Sequence, residues 1–115
     1  MKVAISAYEP GMSASVDPRF GRARYFVVVD MDSGVVSTHD NAVNQSEAHG
    51  AGIQAAKIVV DAGAKAVLTG NVGPKALDVL QAVGVAVYQT ASGSVDQAVS
   101  QFRKGQLVRA TSPTR

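Results

Sequence analysis

Residues 2–8 (KVAISAY) place Val3 and Ile5 on alternate positions and run into the breaker Glu9-Pro10-Gly11, the pattern of a first strand. Residues 24–31 (RYFVVVDM) form a near-continuous apolar run, as a central strand does. Asp32-Ser33-Gly34 reads as a hairpin turn, and residues 35–40 (VVSTHD) as a shorter, more polar strand pairing back. Beyond a polar loop at 41–47, Ile53, Ala56 and Val60 recur at helical spacing. This predicts a helix over 48–62 that Gly63 stops, with Asn44 and Glu47 at capping-box spacing before it. Residues 65–69 (KAVLT) and 85–88 (VAVY) are short buried strands, and Pro74 sits well as the first residue of a helix over 74–83. Ser94 and Gln97 form a capping-box pair opening a last helix, with Val95, Ala98, Val99 and Phe102 on its inner face and Gly105 as its stop. A hairpin followed by alternating helices and strands predicts an α/β fold, a three-layer α/β/α domain around one mixed, five-stranded sheet.

At 115 residues the chain suits one domain, expected over 1–110 with a frayed tail at 111–115; a second core would lack material. Apolar residues make up 46% and aromatics only 5%, so small aliphatic side chains must fill the core, as in a sheet covered on both faces. The absence of cysteine excludes a disulfide framework, a thiolate zinc site, a cysteine nucleophile and a cysteine-held iron–sulfur cluster. The first residues lack the apolar core of a signal peptide, and no apolar run approaches the ~20 residues that span a bilayer. A cytoplasmic protein with no membrane association is expected. A net charge of +2 does not support nucleic-acid binding, but Arg19, Arg22 and Arg24 concentrate positive charge locally.

The long loop at 9–23, rich in Gly, Pro and Ser, is unusual for a compact domain and points to function. Three segments carry a resemblance: Asp17-Pro18-Arg19-Phe20-Gly21-Arg22-Ala23, His49-Gly50-Ala51-Gly52, and Leu68-Thr69-Gly70-Asn71-Val72-Gly73-Pro74. Together they resemble the dinitrogenase iron–molybdenum cofactor biosynthesis family over about the whole chain, the Asp-Pro-Arg-Phe-Gly segment being the most specific part. The resemblance implies a ribonuclease-H-like fold and non-catalytic binding of an anionic metal–sulfur cluster: nitrogenase cofactor, its precursors, or a related cluster such as a molybdenum–copper sulfide held non-covalently. Cluster-synthesis or acceptor proteins would then be its partners. The additional domains of cofactor-synthesising relatives are not seen, so a carrier is expected rather than a synthetic enzyme.

On the residues themselves, guanidinium groups suit such anions, being weakly hydrated and rich in donors. Arg19 and Arg22 lie in the loop with Phe20 and Gly21 between them, while Arg24 begins a strand; the competing reading is solvated charge, with Asp17 turned back onto an arginine. His49 is the candidate metal ligand, at a predicted helix start where the dipole keeps its ring neutral. A lone histidine is more often a packing or capping residue, and His39, between Thr38 and Asp40, reads as structural or exposed. Gly50 and Gly52 would let a bulky group approach free helix amides. Asn71 and Gly73, in a turn at the carboxyl end of a strand, are site-wall candidates whose plain role is turn geometry. Met12 offers a thioether sulfur but reads as a loop residue. Gly50 to Ala55 fits G-x-G-x-x-A, yet a polar loop rather than a strand precedes it, which argues against NAD. No carboxylates converge on the first strand for two-metal nuclease chemistry, and no G-x-S-x-G elbow is present, so catalysis is not expected. The alternative to a cluster carrier is a metal-free regulatory or interaction module of the same fold, binding a small anion or a partner protein.

Overall fold

A computed structural model of the chain describes residues 1–45 and 50–110. The predicted 111–115 tail, His49, and Glu47 of the proposed cap lie outside those residues. Ten elements follow one another: β1 (Lys2–Ala7), β2 (Tyr25–Asp30), β3 (Val36–Asp40), α1 (Ala42–Gln45), α2 (Ala51–Asp61), β4 (Ala64–Leu68), α3 (Pro74–Ala82), β5 (Ala86–Gln89), α4 (Val95–Arg103) and β6 (Val108–Arg109).

The strands form one mixed sheet in the order β3-β2-β1-β4-β5-β6. β1 and β2 pair antiparallel with Ile5 opposite Val27, and β2 and β3 with Val27 opposite Thr38. β4 lies parallel to β1 and β5 parallel to β4. Alternation along β1 sends Ala4 to one face and Val3 and Ile5 to the other, giving two cores. On the first face Phe26, Val28 and Val67 meet Ala55, Ala56 and Val59 of α2 and Leu77 and Leu80 of α3. On the second, Val3, Ile5, Val27 and Leu68 meet Val95, Ala98 and Val99 of α4. The expected helix–sheet–helix layering is thus present.

Three expectations need correction. The sheet has six strands, not five: Val108–Arg109 returns antiparallel to β5, Tyr88 opposite Arg109. Two residues are too few for any periodicity to register. The polar loop after β3 contains the short helix α1, and Asn44 sits inside it, buried, rather than capping a later helix. Finally, α2 turns inward on Ala51, Ala55, Ala56 and Val59, while Ile53 is 38% exposed. Small alanines face the sheet because loop residues 20–22 and α3 crowd against the same helix.

Candidate functional site

The loop at 9–23 is pinned along its length. Tyr8 N–H donates to Ser15 O at 3.0 Å and Val16 N–H to Gly93 O at 2.8 Å. At the carboxyl ends of β1 and β4, Ser6 Oγ bonds Asp17 O at 2.6 Å and Thr69 Oγ1 at 2.8 Å, all three residues fully buried. Asn71 N–H donates to Pro18 O at 2.6 Å and Phe20 N–H to Asn71 O at 3.2 Å. Asn71 therefore acts through its backbone as the strip to which the loop is laced. Gly70 permits this approach: a Cβ there would lie 2.7 Å from Pro18 Cβ and 2.8 Å from its Cα.

Lacing seats Phe20 in the first core, 1% exposed, its ring 5.1 Å from that of Phe26. Next to it, Gly21 presses on α2, where a Cβ would meet Gly52 Cα and N at 3.0 Å; a Cβ on Gly52 would meet Ala76 Cβ of α3 at 3.1 Å. Both glycines thus serve close packing of loop, α2 and α3. Gly50 caps α2 in the left-handed region at φ 79°, where glycine is favoured.

Where the three segments meet, a cleft of about 420 Å3 opens, walled by residues 20–22, 50–53 and 73–76. Six of the sequence-predicted residues line it: Phe20, Gly21, Arg22, Gly50, Gly52 and Gly73. Two helices begin at it. Neither Gly50 nor Gly73 supplies a side-chain cap, and neither α2 nor α3 has an acidic residue in its first turn. The opening amides of both helices, Ala51, Gly52 and Ile53 in one and Lys75 and Ala76 in the other, have no acceptor among the described residues. Each helix end carries roughly half a positive charge.

Two cations add to this field. Arg22 Nη1 donates to Gln45 O at 2.7 Å, a neutral acceptor, and Gln45 Nε2 donates back to Arg22 O at 3.3 Å. Lys75 lines the cleft, exposed and without a carboxylate partner among the described residues. Sequence reading missed Lys75; the signal was its place one residue after the helix-opening Pro74. The floor, by contrast, is apolar, supplied by Phe20, Ala51, Pro74 and Ala76.

The other two arginines are engaged elsewhere. Arg19 grips the buried Asp17 with Nε at 3.1 Å and Nη2 at 3.0 Å, and its backbone amide donates to the same carboxylate at 2.9 Å. These bonds, and then the carboxylate's charge, raise the Arg19 pKa above its ordinary value. Arg24 pairs with Asp40 at 2.7 Å and lies 4.3 Å from the Tyr25 ring centroid. Neither arginine lines the cleft. Met12 belongs to the α4 side, beside Val29, Val36 and Val99. His39 contacts Ser37 Oγ at 3.1 Å on the outer strand β3. No helix among the described residues is long and apolar enough to cross a membrane.

The fold recurs in known proteins. The orange protein of Desulfovibrio gigas, solved in its apo form, superposes with a TM-score of 0.95 at 46% identity, over 99% of this chain and 96% of that one. A Thermotoga protein of the DUF35 family, solved by NMR, gives 0.87 at 36% identity over 99% and 97%. An uncharacterized protein of Methanocaldococcus jannaschii is 29% identical over 109 residues, 93% of this chain and 89% of its own length. The sequence pattern of the family described as dinitrogenase iron–molybdenum cofactor matches residues 1–105, and the chain belongs to that family.

Proposed function

We propose that this protein is a non-catalytic carrier of an anionic metal–sulfur cluster, iron–molybdenum cofactor or a related molybdenum or iron sulfide, seated in the cleft between the 20–22 loop, α2 and α3. The observation that carries the reading is the meeting at one cleft of two helix N-termini whose opening amides find no acceptor among the described residues, one of them with a glycine at its N-cap that the fold does not require. Gly73 has φ −77° and ψ 166°, ordinary N-cap geometry, and a Cβ built on it meets nothing within 4 Å. Serine, threonine, asparagine or aspartate would satisfy the orphan amides there. Glycine instead leaves both the donors and the space open, as an anion bound by backbone amides needs.

Family membership supports the class of cargo. So does the likeness to the orange protein, solved in an apo form. The mixed surface suits a sulfide cluster: soft, polarisable faces on the apolar floor, with net negative charge met by amides, Arg22 and Lys75. The ribonuclease-H-like fold belongs to the same proposal, supported by a central β1 flanked by antiparallel β2 and parallel β4. His49 immediately precedes Gly50 in the chain, and we assign it as a metal ligand within this reading.

The test is anaerobic titration with iron–molybdenum cofactor and with tetrathiomolybdate, followed by visible absorption. Wild type should bind one equivalent saturably. Gly73→Ser should match or exceed the wild-type melting temperature yet bind roughly ten-fold or more weakly, because its hydroxyl takes the amides the cargo needs. A weaker, spectrally altered complex in His49→Ala would support ligation. Absence of binding by the wild type sinks the carrier reading and leaves the metal-free module. Binding unaffected by Gly73→Ser places the cargo elsewhere.

A further inference from the structure

Arg22 lines the cleft, but nothing in its own segment aims it there. The segment from Gly21 to Ala23 has left the lacing to Asn71 and has not yet entered β2. Its carbonyls are held instead from the far side of the hairpin. Asn41, fully buried where β3 ends, donates through Nδ2 to Ala23 O at 2.8 Å and to Gly21 O at 3.3 Å, and its backbone amide donates to Arg24 O at 3.0 Å. Asn44, 5% exposed, donates through Nδ2 to Asn41 Oδ1 at 2.7 Å, which fixes which way the Asn41 amide faces. One turn of α1 sets this spacing, and the backbone bond from Asn44 N–H to Asn41 O at 3.0 Å closes it. Gln45 at the end of the same turn takes the Arg22 guanidinium.

We propose that Asn41 and Asn44 are positioning residues of the cleft: they fix the backbone on both sides of Arg22 and, with Gln45 O, aim its guanidinium at an anionic cargo. The inference rests on the cleft being the cargo site. Asn41 is suited to the task because a side-chain amide offers two donors to two carbonyls while its oxygen accepts the brace. An aspartate there would keep the shape but turn a carboxylate oxygen toward the carbonyls. A hydrophobic residue would leave both carbonyls unsatisfied in a buried site. Among the described residues Arg22 bonds a carbonyl and no carboxylate, which leaves its positive charge to the cleft, whereas Arg19 and Arg24 spend theirs on Asp17 and Asp40.

The experiment uses tetrathiomolybdate as the probe, with wild type, Asn44→Ala, Arg22→Ala and the double variant. Asn44→Ala removes only the brace and should weaken binding roughly 3- to 10-fold. In the Arg22→Ala background the same change should have no further effect, a non-additivity that general loosening of the fold would not produce. In parallel, NMR of the wild type during titration should show the Asn41 side-chain amide and Arg22 Nε–H shifting together; this arm holds even where a variant fails to fold. Equal losses in both backgrounds, wild-type affinity in folded Asn44→Ala, or an unmoved Asn41 amide at saturation would each overturn the inference while leaving the carrier reading intact. No binding by the wild type would overturn both.

Discussion

Replacing Arg19 by methionine separates the two roles an arginine in this loop could have. Asp17 is fully buried, and its carboxylate accepts Arg19 Nε at 3.1 Å, Nη2 at 3.0 Å and the Arg19 backbone amide at 2.9 Å. Methionine keeps the apolar stem and the backbone bond and deletes the two charge-assisted bonds, leaving a buried carboxylate with one donor fewer on each oxygen. Removing one partner of a buried pair costs about 3–5 kcal/mol, whereas an exposed pair contributes about 0–1 kcal/mol. The Arg19 side chain is 54% exposed against 0% for Asp17, so the case falls between, at about 2–3 kcal/mol. For a domain of this size that lowers the melting temperature by roughly 6–18 °C. Thermal unfolding by circular dichroism measures it, with Asp17→Asn and the double variant beside it. The double variant should be less destabilised than the two single losses summed, since it leaves no buried charge behind. Below its melting transition Arg19→Met should still bind tetrathiomolybdate with near wild-type affinity. A loss under about 0.5 kcal/mol, or additive single changes, would refute the structural reading of this pair.

Three further outcomes follow from the geometry. Gly70→Ala drives a methyl group into Pro18 and should cost about 1–3 kcal/mol, loosening the 17–20 strip; unchanged denaturant unfolding would contradict the close approach. Ser94→Ala removes the hydroxyl that accepts Gln97 N–H at 3.1 Å and half of the reciprocal cap of α4, for a loss of about 1 kcal/mol by chemical denaturation; a neutral change would show that the cap is dispensable. The backbone amides of Asp32 and then Ser33 hold the Asp30 carboxyl below its ordinary value. With the folded value lowered, its stabilisation of the hairpin is present above the ordinary aspartate value of about 3.9 and fades as pH falls through the folded value. A carboxyl NMR titration of Asp30 with its midpoint at or above that of a peptide of the same residues would contradict this.

Much of the architecture was legible because it rests on local pattern. Runs such as 24–31, the Pro74 start and the Ser94–Gln97 pair announce a strand, a helix opening and a cap through residues adjacent or one turn apart, and they appear within a residue or two of their expected bounds. What lay beyond such reading depended on distant partners. Val108–Arg109 becomes a strand only because β5 offers a free edge. Ile53 leaves the expected inner face because Gly21 and Ala76 occupy the space around Gly52. Arg19 and Arg22, three residues apart and alike as sequence, part company because Ser6 and Thr69 draw Asp17 beneath one while α1 presents a carbonyl to the other.

The sequence by itself determined the α/β class, the order of all but the shortest elements, the family, and six of the residues that line the cleft. Short-range periodicity and short motifs suffice for these. The tertiary structure decided that the glycines at 21 and 52 serve packing while the one at 73 leaves space, that Lys75 joins the site, and that Asn41 and Asn44 stand behind it. Those assignments turn on which segments distant in the chain approach closely, as Gly21 does Gly52, Gly52 does Ala76 and Asn41 does Ala23, and only the folded backbone sets those distances.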